Sequence, residues 1–324
     1  MKGLFNMADF LTRFRLIFIG DRAFYKIVLA LILPVIVQNT ITNLVNLLDN
    51  IMVGQMGTVQ MSGVAIANQL IFVFNLTVFG GLSGASIFGA QFLGAKDYEG
   101  LRNTFRFKLW AVIFLFITGA SIFVLSGEDL LSLFLSGEGN TSDAAAMLKY
   151  GQEYLNVMIW GLPPFVLSLA YSSTLRETGE SLLPMKASIA AVFTNLCLNY
   201  VLIFGKLGFP ALGVEGAAIA TVISRYVELS IIVLYVHSHV DLFPFAKNLY
   251  RTLKIPCGLA FKILKKGMPL LANELLYALG VSAMVQIFST TGLNVVAGLN
   301  ISGTVTSLFN MVFFSTGNAV AVLV

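Results

Sequence analysis

Eight stretches of this sequence are apolar over the length of a membrane-spanning helix, at 27–53, 62–88, 107–126, 146–172, 185–205, 213–237, 267–289 and 296–324. A helix needs about 20 apolar residues to cross the hydrocarbon core. An all-α, polytopic membrane protein with eight transmembrane helices is therefore expected. Turn chemistry separates the runs, as at Gly54 to Thr58, Gly94 to Gly100, Gly179 to Pro184 and Gly205 to Pro210. Only 11% of residues are charged, against about 25% in a soluble domain. That leaves too little polar surface for a water-soluble core and excludes the disordered, nucleic-acid-binding and small disulfide-rich classes. The net charge of +4 does not call for a nucleic-acid partner.

The distribution of basic residues sets an orientation. With the N-terminus inside, 17 of the 20 Lys and Arg fall in inner segments. They lie in residues 1–26, at Lys96, Arg102, Arg106 and Lys108, at Arg176 and Lys186, and in 238–266. Lys149 and Lys206 fall outside and Arg225 lies within a span. This asymmetry predicts a cytoplasmic N-terminus and a multi-pass protein of the plasma (inner) membrane. Residues 1–26 read as an amphipathic cytoplasmic leader, not a cleaved signal peptide. Residues 238–266 read as a basic linker. Leu249, Leu253, Leu259 and Phe261 suit a helix lying along the inner surface.

Sliding the chain along itself by 235 residues aligns 34–89 with 269–324 and pairs Pro34 with Pro269, Gly57 with Gly292, Gly63 with Gly298 and Asn75 with Asn310. Both copies start on the inner side, so the repeat is parallel and each unit holds six helices. The expected organisation is a six-helix lobe at 27–237, the linker at 238–266 and the first two helices of a second lobe at 267–324. On this reading the sequence is a fragment of a twelve-helix protein.

These features resemble the MATE (multidrug and toxic compound extrusion) family. Leu48-Asp49-Asn50-Ile51-Met52-Val53-Gly54 resembles that family's first helix and Phe92-Leu93-Gly94-Ala95-Lys96-Asp97 the inner end of its second. Asn199 to Gly205, followed by Leu212-Gly213-Val214-Glu215-Gly216-Ala217-Ala218-Ile219-Ala220-Thr221, is the most specific match, to the fifth and sixth helices. The resemblance implies two six-helix lobes and antiport: bulky, often cationic organic compounds leave in exchange for H⁺ or Na⁺. It implies small organic substrates and the bilayer as partners, no cofactor and no obligate protein partner.

Charges at membrane depth are expensive and ask for a reason. Asp49 follows Asn46 and Thr42 at helical spacing, beside Asn39, Asn43 and Asn50, so one side of the first span is polar. Its carboxylate could take up a proton or hold Na⁺; an inert Asp at the outer interface is the alternative. Asn195 and Asn199 are four apart and could donate to Asp49, offer oxygens to an ion, or simply pack helices. Many family members carry an acid at the position of Asn199, so the amide puts a two-carboxylate site in doubt. Glu274 could attract a cationic substrate or pair with Lys265 or Lys266. Asn39, Asn43, Asn68, Asn75 and Asn300 are further substrate-binding candidates. Arg225 and Glu228, three apart, are expected to neutralise each other, and Gly80 and Gly84 to mark close helix packing.

Enzyme readings find no support. Gly81-Leu82-Ser83-Gly84-Ala85 departs from Gly-x-Ser-x-Gly at its last position. Two Cys and two His form no metal-ligand set, and no disulfide is expected. The remaining alternative is a flippase for lipid-linked oligosaccharides or lipids, whose path should carry several basic residues. Only Arg225 is a candidate by sequence.

Overall fold

The structure is a computed structural model that describes residues 22–135 and 141–289, with Thr306 and Phe313. Among these residues all regular structure is helical, and six helices are long and apolar enough to cross a membrane. Apart from Thr306 and Phe313, the eighth expected span, 296–324, lies outside the described residues, as does most of the leader.

Helix α1 (Arg22–Gly54) corresponds to the first expected span and carries Pro34. Its stretch Val28–Ile41 is apolar apart from Gln38, Asn39 and Thr40, and Asp49 and Asn50 follow in the second half of the helix. Helix α2 (Thr58–Gly94) is 37 residues long, about 55 Å at 1.5 Å per residue. Helix α3 (Tyr98–Ser132) starts where the Asp97 carboxylate accepts from the Gly100 amide at 2.8 Å, an N-cap satisfying one orphan donor. The next crossing is compound: α4 (Thr141–Met158), a 3₁₀ turn at Ile159–Gly161, then α5 (Leu162–Glu177). Pro163 and Pro164 lie in the first turn of α5, where a missing N–H is tolerated. Helix α6 (Leu182–Phe204) ends at Gly205, whose φ of 64° favours glycine and where a Cβ would fall 2.6 Å from the Ala211 nitrogen. Helix α7 (Gly213–Ser238) completes the sixth crossing, and α8 (Cys257–Ser289) the seventh.

The outer surface is apolar. Phe114, Phe193, Leu125 and Leu234 are all strongly exposed, which suits lipid as the surrounding medium because hydrocarbon exerts no pressure to bury them. Helix α8 runs antiparallel to α2: Gly84 meets Gly267, Gly80 meets Leu271 and Glu274, and Gln69 donates to Ser282 at 2.8 Å. A Cβ on Gly84 would overlap the Gly267 Cα. The Gly-xxx-Gly spacing is thus a backbone-to-backbone seam.

The 238–256 segment differs from the expected surface helix. It contains two 3₁₀ turns, Pro244–Ala246 and Leu249–Arg251, and α8 already begins at Cys257. Phe245 and Leu249 are buried. Three residues one turn apart on α3 hold its carbonyls: Arg102 donates to Pro244 at 3.2 Å, Arg106 to Leu249 at 3.1 Å and Asn248 at 3.2 Å, and Trp110 to Leu253 at 3.1 Å. Satisfied backbone acceptors and tight 3₁₀ turns replace the amphipathic helix. Leu249 faces the bundle instead of the membrane surface.

Candidate functional site

Asp49, near the end of α1, is half-buried and faces α6. Helical spacing of four puts Asn195 and Asn199 on the same side of α6, and both are buried. The Asn199 amide donates to Asp49 Oδ1 at 2.5 Å. Asn195 sets its amide group 3.0 and 3.2 Å from the two Asp49 oxygens, with the Thr221 hydroxyl of α7 at 3.2 Å on its other side. Two amide orientations are chemically distinct. With nitrogen toward Asp49, Asn195 donates to the carboxylate and accepts from Thr221. With oxygen toward Asp49, it would set an acceptor against the carboxylate, so its neighbours favour the nitrogen-inward orientation. Asn199 Oδ1 is buried without a hydrogen-bond partner among the described residues. An orphan acceptor beside a carboxylate is a donor set suited to a small cation, since hard cations take oxygen ligands.

This cluster lies at one end of a cavity of about 600 Å³ lined by α1, α2, α4, α5, α6 and α7. Asn39, Asn68 and Asn75 line it. Asn75 Oδ1 is buried without a partner among the described residues. Asn43 is not among the lining residues; its side chain donates to the Asn39 carbonyl at 3.0 Å, one turn back on its own helix. Glu274 is also apart from the cavity, half-buried against Gly80 in the α2–α8 seam. Neither Lys265 nor Lys266 is within ion-pair distance of it. The side chain of Asn46, and Asn300 altogether, lie outside the described residues.

The far end of the cavity departs most from the sequence reading. Arg225 and Glu228 are not a direct pair. Arg225 donates to the Gly161 carbonyl at 3.4 Å and lies over the Phe165 ring, 4.8 Å from its centre. Glu228 accepts from the Ser188 hydroxyl, which accepts from Gln38 at 2.6 Å. Arg176, assigned by sequence to an inner connection, instead sits in the last turn of α5 and lines the cavity. Two guanidinium groups, not one, therefore face this space. Thr221 was quoted within the matching motif but given no role. Its only local signal is four-residue spacing to Arg225.

A second buried ionic group lies between α3 and α5. Lys108 is fully buried and its ammonium donates to Ser173 at 3.0 Å, Thr174 at 2.9 Å and Glu177. Counting Lys108 as an inner-surface charge missed this, because a lysine near a span end reads the same whether it points to water or into the bundle.

Comparison with known proteins places the chain. The MatE family model matches residues 34–201. The probable multidrug resistance protein NorM of Thermotoga maritima is 31% identical over 303 residues, which are 92% of this chain and 62% of that protein. The probable multidrug resistance protein YoeA of Bacillus subtilis is 29% identical over 296 residues, 90% of this chain and 62% of that one. The chain thus spans about 62% of the length of these curated relatives. An outward-facing multidrug resistance MATE family transporter of the MOP superfamily superposes with a TM-score of 0.75 at 23% identity, covering 91% of this chain and 63% of that one. The match over 34–201 takes in the helix that carries Asp49 and the helix that carries Asn195 and Asn199, and the chain belongs to the MatE family of membrane transporters.

Proposed function

We propose that the chain acts in a secondary active antiporter that exports bulky, often cationic organic compounds in exchange for H⁺ or Na⁺. The observation that carries this is the Asp49–Asn195–Asn199–Thr221 cluster at the end of a cavity of about 600 Å³ inside an otherwise apolar bundle. Asp49 is the coupling group. Bare, it is held by two amides; with a proton or Na⁺ bound, Asn195 turns its oxygen inward and the hold of α6 on α1 weakens. The ion thereby has different affinities in two arrangements of the helices, which is what a ligand needs to shift an equilibrium between them. Asn39, Asn68 and Asn75 supply hydrogen bonds for substrate along the cavity wall. Residues 27–237 form one lobe, 238–266 join it to a second lobe that starts at 267, and alternating access moves one against the other. The N-terminus is cytoplasmic, in the plasma membrane.

Asp49→Asn tests the coupling step. The substitution preserves shape, removes a charge from the bilayer interior and leaves insertion intact. Export against an imposed ion gradient in the full-length protein should fall by about tenfold or more, because the amide no longer binds the ion differently in the two states. Parental efflux by Asp49→Asn would eliminate the mechanism.

A further inference from the structure

The cavity end opposite Asp49 carries a row of donors that the export reading leaves idle. Ser168, Ser172 and Arg176 are four residues apart on α5, so they stack one per turn on a single face, and all three line the cavity. Ser168 is only 4% exposed and its hydroxyl has no hydrogen-bond partner among the described residues. Such an unsatisfied buried hydroxyl is destabilising unless something else completes it. The Arg176 guanidinium makes neither a hydrogen bond nor an ion pair with any described residue; the acids whose charge acts on it are Glu177, bonded to Lys108, and Glu228, bonded to Ser188. Arg225 faces the same space from α7. The charges of this end are therefore two guanidinium groups against the single carboxylate of Glu228, with Glu177 already neutralised by Lys108.

We propose that this end of the cavity binds a carboxylate or another compact anionic group of the transported compound, so that the substrates include organic zwitterions and anions. Arg176 supplies the charge in a fork that fits a carboxylate bidentately. Ser168 and Ser172 donate from the turns before it, and the Phe165 ring beside Arg225 gives an aromatic body a flat surface. Along α7, Thr221 and Glu228 are seven residues apart, about 10 Å at helical rise. A zwitterion of drug size fits that span, its amine toward Asp49 and its acid on Arg176. The proposal rests on the cavity being the substrate site.

Equilibrium binding separates this from coupled export. The probes are a dansylated amino acid, which carries a free carboxylate, and its primary amide, titrated by fluorescence against the purified protein in lipid nanodiscs. The acid should bind about tenfold more tightly than the amide, the size expected of a charge-assisted pair. Arg176→Gln should bring the two affinities together by weakening the acid far more than the amide, Arg176→Lys should retain part of the preference, and Ser168→Ala should reduce it. An unfolding temperature in the nanodiscs close to the parent's shows that the Arg176→Gln protein is folded. Equal affinities in the parent, no binding of either probe, or a preference that survives Arg176→Gln would each overturn the proposal. Loss of gradient-driven export with the binding preference intact would instead count against the antiport mechanism alone.

Discussion

Lys108 shows what a single charge means inside this bundle. Its ammonium is fully buried and bonded to Ser173, Thr174 and Glu177. Removing one partner of such a pair strands the other, a loss of about 3–5 kcal/mol, whereas replacing both can be close to neutral. Lys108→Met should therefore sharply lower thermal stability in detergent, and Lys108→Met with Glu177→Gln should recover most of it. A double variant as unstable as the single one would mean that the pair does not act as a unit. Asp49 follows opposite logic. Its partners are neutral amides, so neutralising it strands no charge; the predicted defect in Asp49→Asn lies in coupling, not folding.

Among the elements, α2 and α8 approach more closely than side chains allow elsewhere, because Gly84 and Gly267 place backbone against backbone. In lipid, helix association depends on such packing and not on the hydrophobic effect. Gly84→Val should push α8 away, with a loss of about 1–3 kcal/mol typical of overpacking, read as a lower unfolding temperature and loss of a Gln69→Cys/Ser282→Cys cross-link that the parent pair should form. The 238–256 segment is held differently, by the Arg102, Arg106 and Trp110 row on α3. Arg106 alone makes two of these carbonyl bonds. Arg106→Ala should raise amide hydrogen exchange across 244–253 while α3 itself stays protected. Unchanged exchange there would show that the buried Phe245 and Leu249 suffice to hold the segment.

For the whole molecule the testable quantity is orientation. Alternating helix directions put Gln55 and Lys206 at one end and Lys96 and Lys247 at the other. With Cys197 and Cys257 replaced by Ser, single cysteines at positions 55 and 206 should react with an impermeant thiol reagent from outside intact cells. Those at 96 and 247 should react only after permeabilisation. The reverse pattern would invert the topology and the direction of export.

Apolar run length located the long helices over the described residues, because the bilayer demands both a minimum length and internally satisfied backbone. The same contrast between apolar runs and rare polar side chains made Asp49, Asn195 and Asn199 legible: a charge or a repeated amide in lipid stands out without any knowledge of its neighbours. Rotation about the helix axis was not legible at span ends. There a basic residue satisfies the positive-inside pattern whichever way it points, so Arg176 and Lys108 read as surface charges although one faces the cavity and the other is sealed inside. Serine and threonine were silent for a related reason, since in a helix they can bond their own preceding turn. Only packing reveals that Ser168 does not. Packing also turns Asn43 back on its own helix and sets Glu274 in the α2–α8 seam, placements that spacing alone does not give. Sequence thus decided which segments enter the membrane, through a solvent requirement each segment meets alone. Tertiary structure decided which face of each helix meets which partner, because that depends on contacts between residues far apart in the chain.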